Sequence, residues 1–161
     1  MSNRPSPRLP GVLDPCCGSK MMYFQKDSPD VLFCDKRSTD ETLCDGRNLS
    51  IRPDIQCDFR DLPFPDKSFW HVVFDPPHLT SSGQGSWIIK KYGKLPKEWQ
   101  EYLRRGFEEC WRVLKEHGTL VFKWSEEDIN LDTVLQCFPE RPLYGNRARG
   151  DRQIFIVFVK N

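Results

Sequence analysis

Short apolar segments separated by polar turns run the length of the chain, and most have the length and composition of β-strands. A nearly continuous apolar run, typical of a strand buried on both faces, occurs at residues 69–74. Further strands are predicted at 11–14, 31–34, 55–59, 119–124 and 153–159, the last rich in Ile, Val and Phe. Residues 96–116 instead carry apolar side chains every three or four positions, which predicts a helix with Pro96 in its first turn and Gly118 just beyond its end. Because strands alternate with helical segments, the pattern predicts an α/β fold with a mostly parallel sheet and right-handed crossovers.

Smaller elements are predicted between these segments. Residues 20–26 leave room for only a short helix, and residues 131–137 fit another. The proline-punctuated stretch 62–68 predicts a turn. The polar stretch 40–53 is compatible with a small hairpin.

Length and composition narrow the class of protein. The 161 residues have the size of one domain, predicted over 11–161, with a mobile, polar, proline-rich tail at 1–10. The 24 basic and 23 acidic residues nearly cancel, so no whole-molecule charge points to nucleic acid or a membrane. The sequence contains neither a membrane-spanning apolar run nor a secretory signal, so a cytoplasmic location is expected. The seven cysteines are odd in number and lack a Cys-x-x-Cys pair, which favours reduced thiols and no metal site.

Three strand ends carry side chains suited to an adenosine-type cofactor. Gly18, in the small-residue loop after Asp14, lets a ligand approach the backbone closely. Asp35 lies 21 residues beyond Asp14 at the tip of the second strand, where a carboxylate can accept hydrogen bonds from ribose hydroxyls. Asp58 and Phe59 follow the third strand and can meet the amino edge and the face of an adenine. Taken singly, each has a plain alternative: a tight turn, a strand-end cap, or a strand end with one buried phenylalanine.

The most specific motif is Asp75-Pro76-Pro77-His78, which directly follows the apolar strand 69–74. The prolines lack a backbone N–H and have a fixed φ, so this segment is stiff and extended. The Asp75 carboxylate and the Pro76 carbonyl can accept both hydrogens of a substrate amino group, which turns the nitrogen lone pair toward an electrophile. His78 can stack on a flat substrate, although it can also be an ordinary surface histidine.

In their order along the chain, these motifs resemble those of class I S-adenosylmethionine-dependent methyltransferases. More narrowly, residues 75–78 resemble the (Asp/Asn/Ser)-Pro-Pro-(Tyr/Phe/Trp/His) motif of the branch that methylates amino groups, which includes small bacterial and phage-type enzymes. The resemblance spans roughly 12–160 and implies a Rossmann-like class I methyltransferase sandwich, with a mostly parallel seven-stranded sheet whose last strand is antiparallel. Two features depart from the pattern: Lys20 stands where relatives usually have glycine, and the segment before Val31 is too short for a full helix.

The resemblance implies S-adenosylmethionine as the cofactor and no metal. The residues it assigns to the cofactor are Asp14, Pro15, Cys16, Gly18, Asp35, Lys36, Asp58, Phe59 and Asp75. The residues it assigns to catalysis are Asp75, Pro76, Pro77 and His78.

A basic stretch follows the catalytic motif. Between Gln84 and Arg105 the sequence has six lysines and arginines but only two glutamates, and aromatic side chains are interleaved with the lysines. Basic groups can track phosphates while aromatic rings stack on bases, so this stretch predicts one lip of a nucleic-acid site. The residues predicted to bind the substrate are Trp87, Lys90, Lys91, Tyr92 and Lys94. A solvated helix face explains the stretch equally well, and the second basic segment, 147–152, fits a charged hairpin turn.

The leading hypothesis is methyl transfer from S-adenosylmethionine to an exocyclic amino group, with adenine N6 in DNA or RNA as the first candidate. One rival is methylation of a protein amide or a small-molecule nitrogen, because an Asp-Pro-Pro motif does not choose between planar amino groups. Another is a cofactor-binding subunit without activity, since a chain of this size has little room for target selection and can need a protein partner.

Overall fold

The computed structural model describes residues 8–81, 87–146 and 153–161, and its strands largely follow the apolar runs of the sequence. The nine strands described are β1 (Val12–Asp14), β2 (Val31–Asp35), β3 (Thr39–Thr42), β4 (Asn48–Ile51), β5 (Ile55–Gln56), β6 (Phe69–Phe74), β7 (Leu114–Ser125), β8 (Tyr144–Gly145) and β9 (Gln153–Val159). The three helices described are α1 (Trp87–Tyr92), α2 (Trp99–Val113) and α3 (Leu131–Leu135). None of these helices is long and apolar enough to cross a membrane. Most of the predicted tail and the basic segment 147–152 lie outside the described residues.

Seven of the strands form one sheet in the order β5-β2-β1-β6-β7-β9-β8. Strands β5, β2, β1, β6 and β7 are parallel neighbours, whereas β9 runs antiparallel to both β7 and β8. This topology confirms the predicted Rossmann-like sheet, mostly parallel with an antiparallel last strand. Because β1 has β2 on one side and β6 on the other, the strand order reverses there, and ligands of such sheets bind at the carboxyl ends beside that point.

The main core lies where α2 covers the centre of the sheet. Phe107 of α2 is fully buried and stacks on Phe138, with ring centroids 4.4 Å apart. Phe122 of β7 and Phe158 of β9 close the same aromatic cluster. Leu103 and Cys110 of α2 are also fully buried, so the helical period seen in the sequence marks the face that packs on the sheet.

The predicted helix over 96–116 is too long at both ends. Leu114 takes an extended conformation as the first residue of β7, so the helix stops at Val113. The Lys160 ammonium donates to the backbone carbonyls of Trp111 at 2.5 Å and Leu114 at 2.7 Å, which satisfies oxygens near the helix end. Gly118 is therefore not a helix terminator but a strand residue, where an added Cβ would lie 2.9 Å from the Trp70 carbonyl oxygen.

The connections on the β1–β2–β5 side differ most from the expectations. The predicted helix over 20–26 is wrong, because this segment forms turns. Strand β5 ends at Gln56, three residues before the predicted end. The expected hairpin is confirmed as β3 and β4, and it joins β2 to β5 in place of a crossover helix. Helix α1 was not predicted, since its lysines break the apolar pattern.

Candidate functional site

Strands β1, β2 and β6 bring three aspartates to one edge of the sheet: Asp14, Asp35 and Asp75. Asp14 is fully buried and accepts hydrogen bonds from the Tyr23 hydroxyl at 2.8 Å and the Cys16 N–H at 3.1 Å. Burial raises the pKa of Asp14 to about 7, although the hydrogen bond from Tyr23 opposes the rise. These contacts make Asp14 an anchor for the loop that leaves β1.

That loop is tied directly to Asp35. Gly18 adopts a left-handed φ of 52° and donates its N–H to Asp35 Oδ2 at 2.9 Å. Lys20 is also left-handed, with φ 57°, a conformation that favours glycine, the residue usual at this position in the family that the sequence resembles. Its N–H reaches the Cys17 carbonyl at 2.9 Å and its ammonium lies 4.1 Å from the Phe33 ring centroid, so local contacts hold the loop without glycine.

Asp35 is nearly enclosed by protein donors. Its Oδ1 accepts from the Arg37 backbone N–H at 2.9 Å and the Arg37 Nε at 3.1 Å, while Oδ2 holds Gly18. Only 3% of Asp35 is exposed. A ribose hydroxyl would therefore have to share this carboxylate with Arg37 or displace its side chain.

A small cavity of about 50 Å³ lies beside Asp35, and we call it the β2-side cavity. It is lined by Pro15, Cys16, Asp35, Lys36, Arg37, Phe59, Asp75, Pro77, Tyr92, Gly93, Lys94 and Tyr102. Phe59 meets Tyr102 edge-on, with ring centroids 4.9 Å apart, and Lys36 donates to the Tyr102 hydroxyl at 3.1 Å. Asp58, in contrast, does not line this cavity; its carboxylate accepts from Arg60, with Nη2 at 2.7 Å.

Asp75 forms an ion pair that was not predicted. The Lys123 ammonium of β7 donates to Asp75 Oδ2 at 2.9 Å, and both side chains are mostly buried. Burial raises the pKa of Asp75 above its ordinary value, while the charge and hydrogen bond of Lys123 work in the opposite direction. The structure therefore holds a desolvated carboxylate, paired with a lysine ammonium, at the centre of the candidate site.

The residues after Asp75 are fixed on both sides. Gly93, with φ 81°, packs against Pro77 so closely that an added Cβ would lie 3.0 Å from the proline Cγ. The backbone N–H groups of Thr80 and Ser81 both donate to Asp128 Oδ2, at 2.6 and 3.1 Å. These contacts keep the proline segment extended beyond β6, in agreement with the stiffness expected from two prolines.

A second, larger cavity of about 220 Å³ lies beside His78, and we call it the aromatic cavity. It is lined by Asp75, His78, Leu79, Trp87, Ile88, Tyr92, Lys123, Trp124, Ser125, Glu127 and Gln153. The His78 ring centroid lies 6.1 Å from that of Tyr92 and 6.2 Å from that of Trp124. Burial lowers the pKa of His78 below its ordinary value, so the ring is neutral near pH 7. Flat aromatic walls of this kind suit a planar, uncharged ring.

A central cavity of about 80 Å³ lies between the loop after β1 and the proline segment. It is lined by Cys16, Cys17, Gly18, Ser19, Met21, Met22, Arg37, Asp75, Pro76, His78, Lys91, Tyr92 and Lys123. Asp75 and Tyr92 thus border all three cavities. Burial raises the pKa of the Cys17 thiol to about 12, so it offers apolar surface rather than a nucleophile.

The predicted substrate-binding residues separate on α1 and just after it. Trp87 and Tyr92 line the aromatic cavity, and Lys91 reaches the central cavity. Lys94 lies at the β2-side cavity instead, and Lys90 pairs with Glu41 of the hairpin at 3.1 Å. Tyr92 borders all three cavities, and Lys90 and Lys94 line one further cavity together, so the five residues are spread over adjoining cavities.

Two residues of the site were missed at the sequence level: Arg37 and Lys123. Lys123 is the one charged residue between Leu120 and Trp124, and a lone lysine in a buried strand is a usable signal. Arg37 follows Asp35 with the same Asp-x-Arg spacing as Asp58 and Arg60. In both pairs the arginine folds back onto the aspartate two residues earlier.

Sequence comparisons identify no relative: no family model and no curated protein matches the chain. Among solved structures, 24 chains resemble it. One is the crystal structure of the PH0226 protein from Pyrococcus horikoshii OT3, with a TM-score of 0.60 and 15% identity over 93% of this chain and 81% of that chain. At this identity the likeness shows the fold alone, in agreement with the Rossmann-like sheet described above.

Proposed function

We propose that this chain transfers the methyl group of S-adenosylmethionine to an exocyclic amino group of a base in DNA or RNA, with adenine N6 as the first candidate. The observation that carries the proposal is the position of Asp75. Its carboxylate borders the β2-side cavity, next to Asp35, and the aromatic cavity, next to His78. A cofactor on one side and a planar acceptor on the other would meet at this side chain.

The β2-side and central cavities contain groups that fit an adenosine-type cofactor. Asp35 can accept from ribose hydroxyls, and Phe59 and Tyr102 offer aromatic surface for an adenine. Arg37 would turn away from Asp35 as the ribose arrives. When bound, S-adenosylmethionine supplies an electrophilic methyl carbon attached to a positively charged sulfur.

In the proposed mechanism the chain orients the acceptor nitrogen. Asp75 and the Pro76 carbonyl would accept the two hydrogens of the amino group, which fixes the direction of the nitrogen lone pair. The rings of His78, Tyr92 and Trp124 hold the base in plane. Orientation of this kind supplies a large share of the rate enhancement in bimolecular reactions. After transfer the nitrogen is cationic and loses a proton, for which the desolvated Asp75 carboxylate is a suitable acceptor.

Substitution of Asp75 tests this function. We expect Asp75→Asn, which retains the shape and loses the charge, to lower the turnover rate by about 10- to 150-fold, since a charge-assisted hydrogen bond contributes roughly 1.5–3 kcal/mol. Asp75→Ala should abolish transfer. The exposed Asp61→Asn serves as the matched control.

The assay is transfer of a radiolabelled methyl group to total DNA and RNA, followed by digestion and identification of the labelled nucleoside. Cofactor binding is measured separately by thermal shift. Full activity of Asp75→Ala would contradict the mechanism. Radiolabel found in protein rather than in nucleic acid would support methyl transfer but reject a base in DNA or RNA as the acceptor.

A further inference from the structure

A basic cleft of about 480 Å³ lies beside the central cavity, between the loop after β1 and the β3–β4 hairpin. Its lining residues are Gly18, Ser19, Lys20, Met21, Lys26, Leu43, Arg47, Asn48, Leu49, Ser50, Arg52 and Lys91. Five of these twelve side chains are lysine or arginine, and none is acidic. A cleft with this charge in a nearly neutral chain selects for a ligand with several negative charges.

The hairpin wall of the basic cleft is fixed in place by α1. Leu43, Leu49 and Ile51 form a small buried cluster against Trp87. The Arg47 guanidinium lies 4.7 Å from the Trp87 ring centroid, and Lys90 pairs with Glu41 at 3.1 Å. Arg47 and Arg52 are therefore carried by a hairpin that is already held in position, so a bound ligand does not have to order it.

The basic side chains remain available to a ligand. Arg47 pairs with Asp45, and Arg52 pairs with Asp40, but both pairs lie at the exposed surface. Exposed ion pairs contribute little free energy, so phosphate oxygens can replace these carboxylates. Lys26 is exposed, and Lys91 is half-buried at the junction of the basic cleft and the central cavity.

The basic cleft leads to the candidate catalytic residues. It shares Gly18, Ser19, Met21 and Lys91 with the central cavity, which also contains Asp75 and His78. We propose that the basic cleft binds the phosphodiester backbone of the polynucleotide next to the target nucleotide, as a single strand or as the strand from which the base is flipped. This inference rests on the proposed function and adds that the β3–β4 hairpin binds the backbone of the substrate.

Salt-dependent binding tests the assignment. The triple variant Lys26→Gln/Arg47→Gln/Arg52→Gln is compared with wild type and with Arg8→Gln/Lys67→Gln/Arg141→Gln, which removes the same charge at exposed positions outside the cleft and outside the basic stretch after the catalytic motif. The probe is a fluorescent single-stranded oligonucleotide, read by anisotropy between 50 and 200 mM salt. The salt slope is the steepness with which the logarithm of the binding constant falls as the logarithm of the salt concentration rises. Each lost phosphate contact lowers this slope by about 0.7, so three lost contacts make the loss of affinity roughly 20-fold greater at 50 mM than at 200 mM.

Arg47 also contacts Trp87, so a second variant protects the test from a folding defect. Lys26→Gln/Arg52→Gln leaves that contact intact and should still give about a sevenfold difference between the two salt concentrations. Thermal unfolding of each variant reports whether the fold is retained. The assignment would be overturned if the cleft variants had the same salt slope as wild type. It would also be overturned if the control triple variant lost as much affinity as the cleft triple variant.

Binding needs no methyl transfer, so the two proposals fail separately. If wild type methylates a polynucleotide but the cleft variants bind it normally, the basic cleft is rejected and the proposed function stands. If the cleft variants show the expected slopes and no nucleic acid is methylated, the cleft is supported and the proposed function is rejected. A wild-type protein that binds no oligonucleotide would overturn the cleft assignment.

Discussion

Removal of the cation beside Asp75 is the most direct test of how the site keeps a carboxylate in place. Lys123 is the single cationic partner that Asp75 contacts among the described residues, with the two charged atoms 2.9 Å apart. Lys123→Met retains an unbranched side chain of similar length and removes the charge. The variant therefore isolates the ion pair from the packing of β7.

The size of the effect follows from the burial of the pair. Removing one partner of a fully buried ion pair costs about 3–5 kcal/mol, whereas breaking an exposed pair costs about 0–1 kcal/mol. The Lys123 and Asp75 side chains are 18% and 27% exposed, between these limits but closer to burial. We expect Lys123→Met to lower the free energy of unfolding by about 1–3 kcal/mol where Asp75 is ionised.

The effect has a definite dependence on pH. Burial already raises the pKa of Asp75, and loss of Lys123 raises it further. An acid whose pKa is higher in the folded than in the unfolded state loses folding free energy as pH rises between the two values. The destabilisation of Lys123→Met should therefore be small under acidic conditions, where Asp75 is neutral, and largest near neutral pH and above. The acid limb of the rate profile should move to higher pH.

Urea unfolding across a pH series, together with a pH–rate profile, measures both effects. Lys67→Met is the control, because the Lys67–Glu116 pair is more than half exposed and far less sensitive to burial. Equal destabilisation of Lys123→Met at acidic and neutral pH would refute the proposed charge interaction. An acid limb that stays in place would show that Asp75 acts without help from Lys123.

Two further substitutions test the cofactor side. Gly106→Ala places a Cβ 2.4 Å from the Phe59 ring, so we expect a loss of about 1–3 kcal/mol in the free energy of unfolding and weaker cofactor binding, measured by thermal unfolding and calorimetry. Arg37→Ala removes the guanidinium from Asp35 and keeps the backbone N–H on Oδ1, so a ribose hydroxyl no longer competes with the side chain. S-adenosylmethionine should therefore bind about tenfold more tightly, as a single displaced hydrogen bond of roughly 1.4 kcal/mol implies. Weaker binding of this variant would show instead that Arg37 holds the cofactor.

The longer strands were predictable because their apolar residues are nearly contiguous, although Trp70 of β6 and Phe155 of β9 are exposed, so these strands are not buried on both faces. Strands 69–74 and 153–159 agree with β6 and β9 residue for residue. The end of α2 was not predictable from periodicity, because an apolar residue at position 114 fits the buried face of a helix as well as the start of strand β7. Leu114 joins the strand because it pairs with Phe69 in the sheet and its carbonyl accepts a hydrogen bond from Lys160. Both partners are far from Leu114 in the sequence.

The candidate site shows the same limit at the level of single side chains. A motif that is contiguous in sequence, such as residues 75–78, places its groups together because the backbone itself connects them. Lys123 reaches Asp75 across 48 positions, and only the neighbouring placement of β6 and β7 brings them into contact. The lysines after Trp87 were expected to lie on one lip, and the structure spreads them over adjoining cavities: Lys91 lines the basic cleft and the central cavity, whereas Lys90 and Lys94 line another cavity together.

The three aspartates at the sheet edge avoid mutual repulsion in three different ways. Asp14 has a pKa raised to about 7 by burial, so near neutral pH it is partly protonated. Asp35 is enclosed by Gly18 and Arg37, whereas Asp75 has the ammonium of Lys123. Of the three, only Asp75 borders both the β2-side cavity and the aromatic cavity. These different environments explain how one edge can hold three carboxylates, of which the proposed function uses only Asp75 for an acceptor amino group.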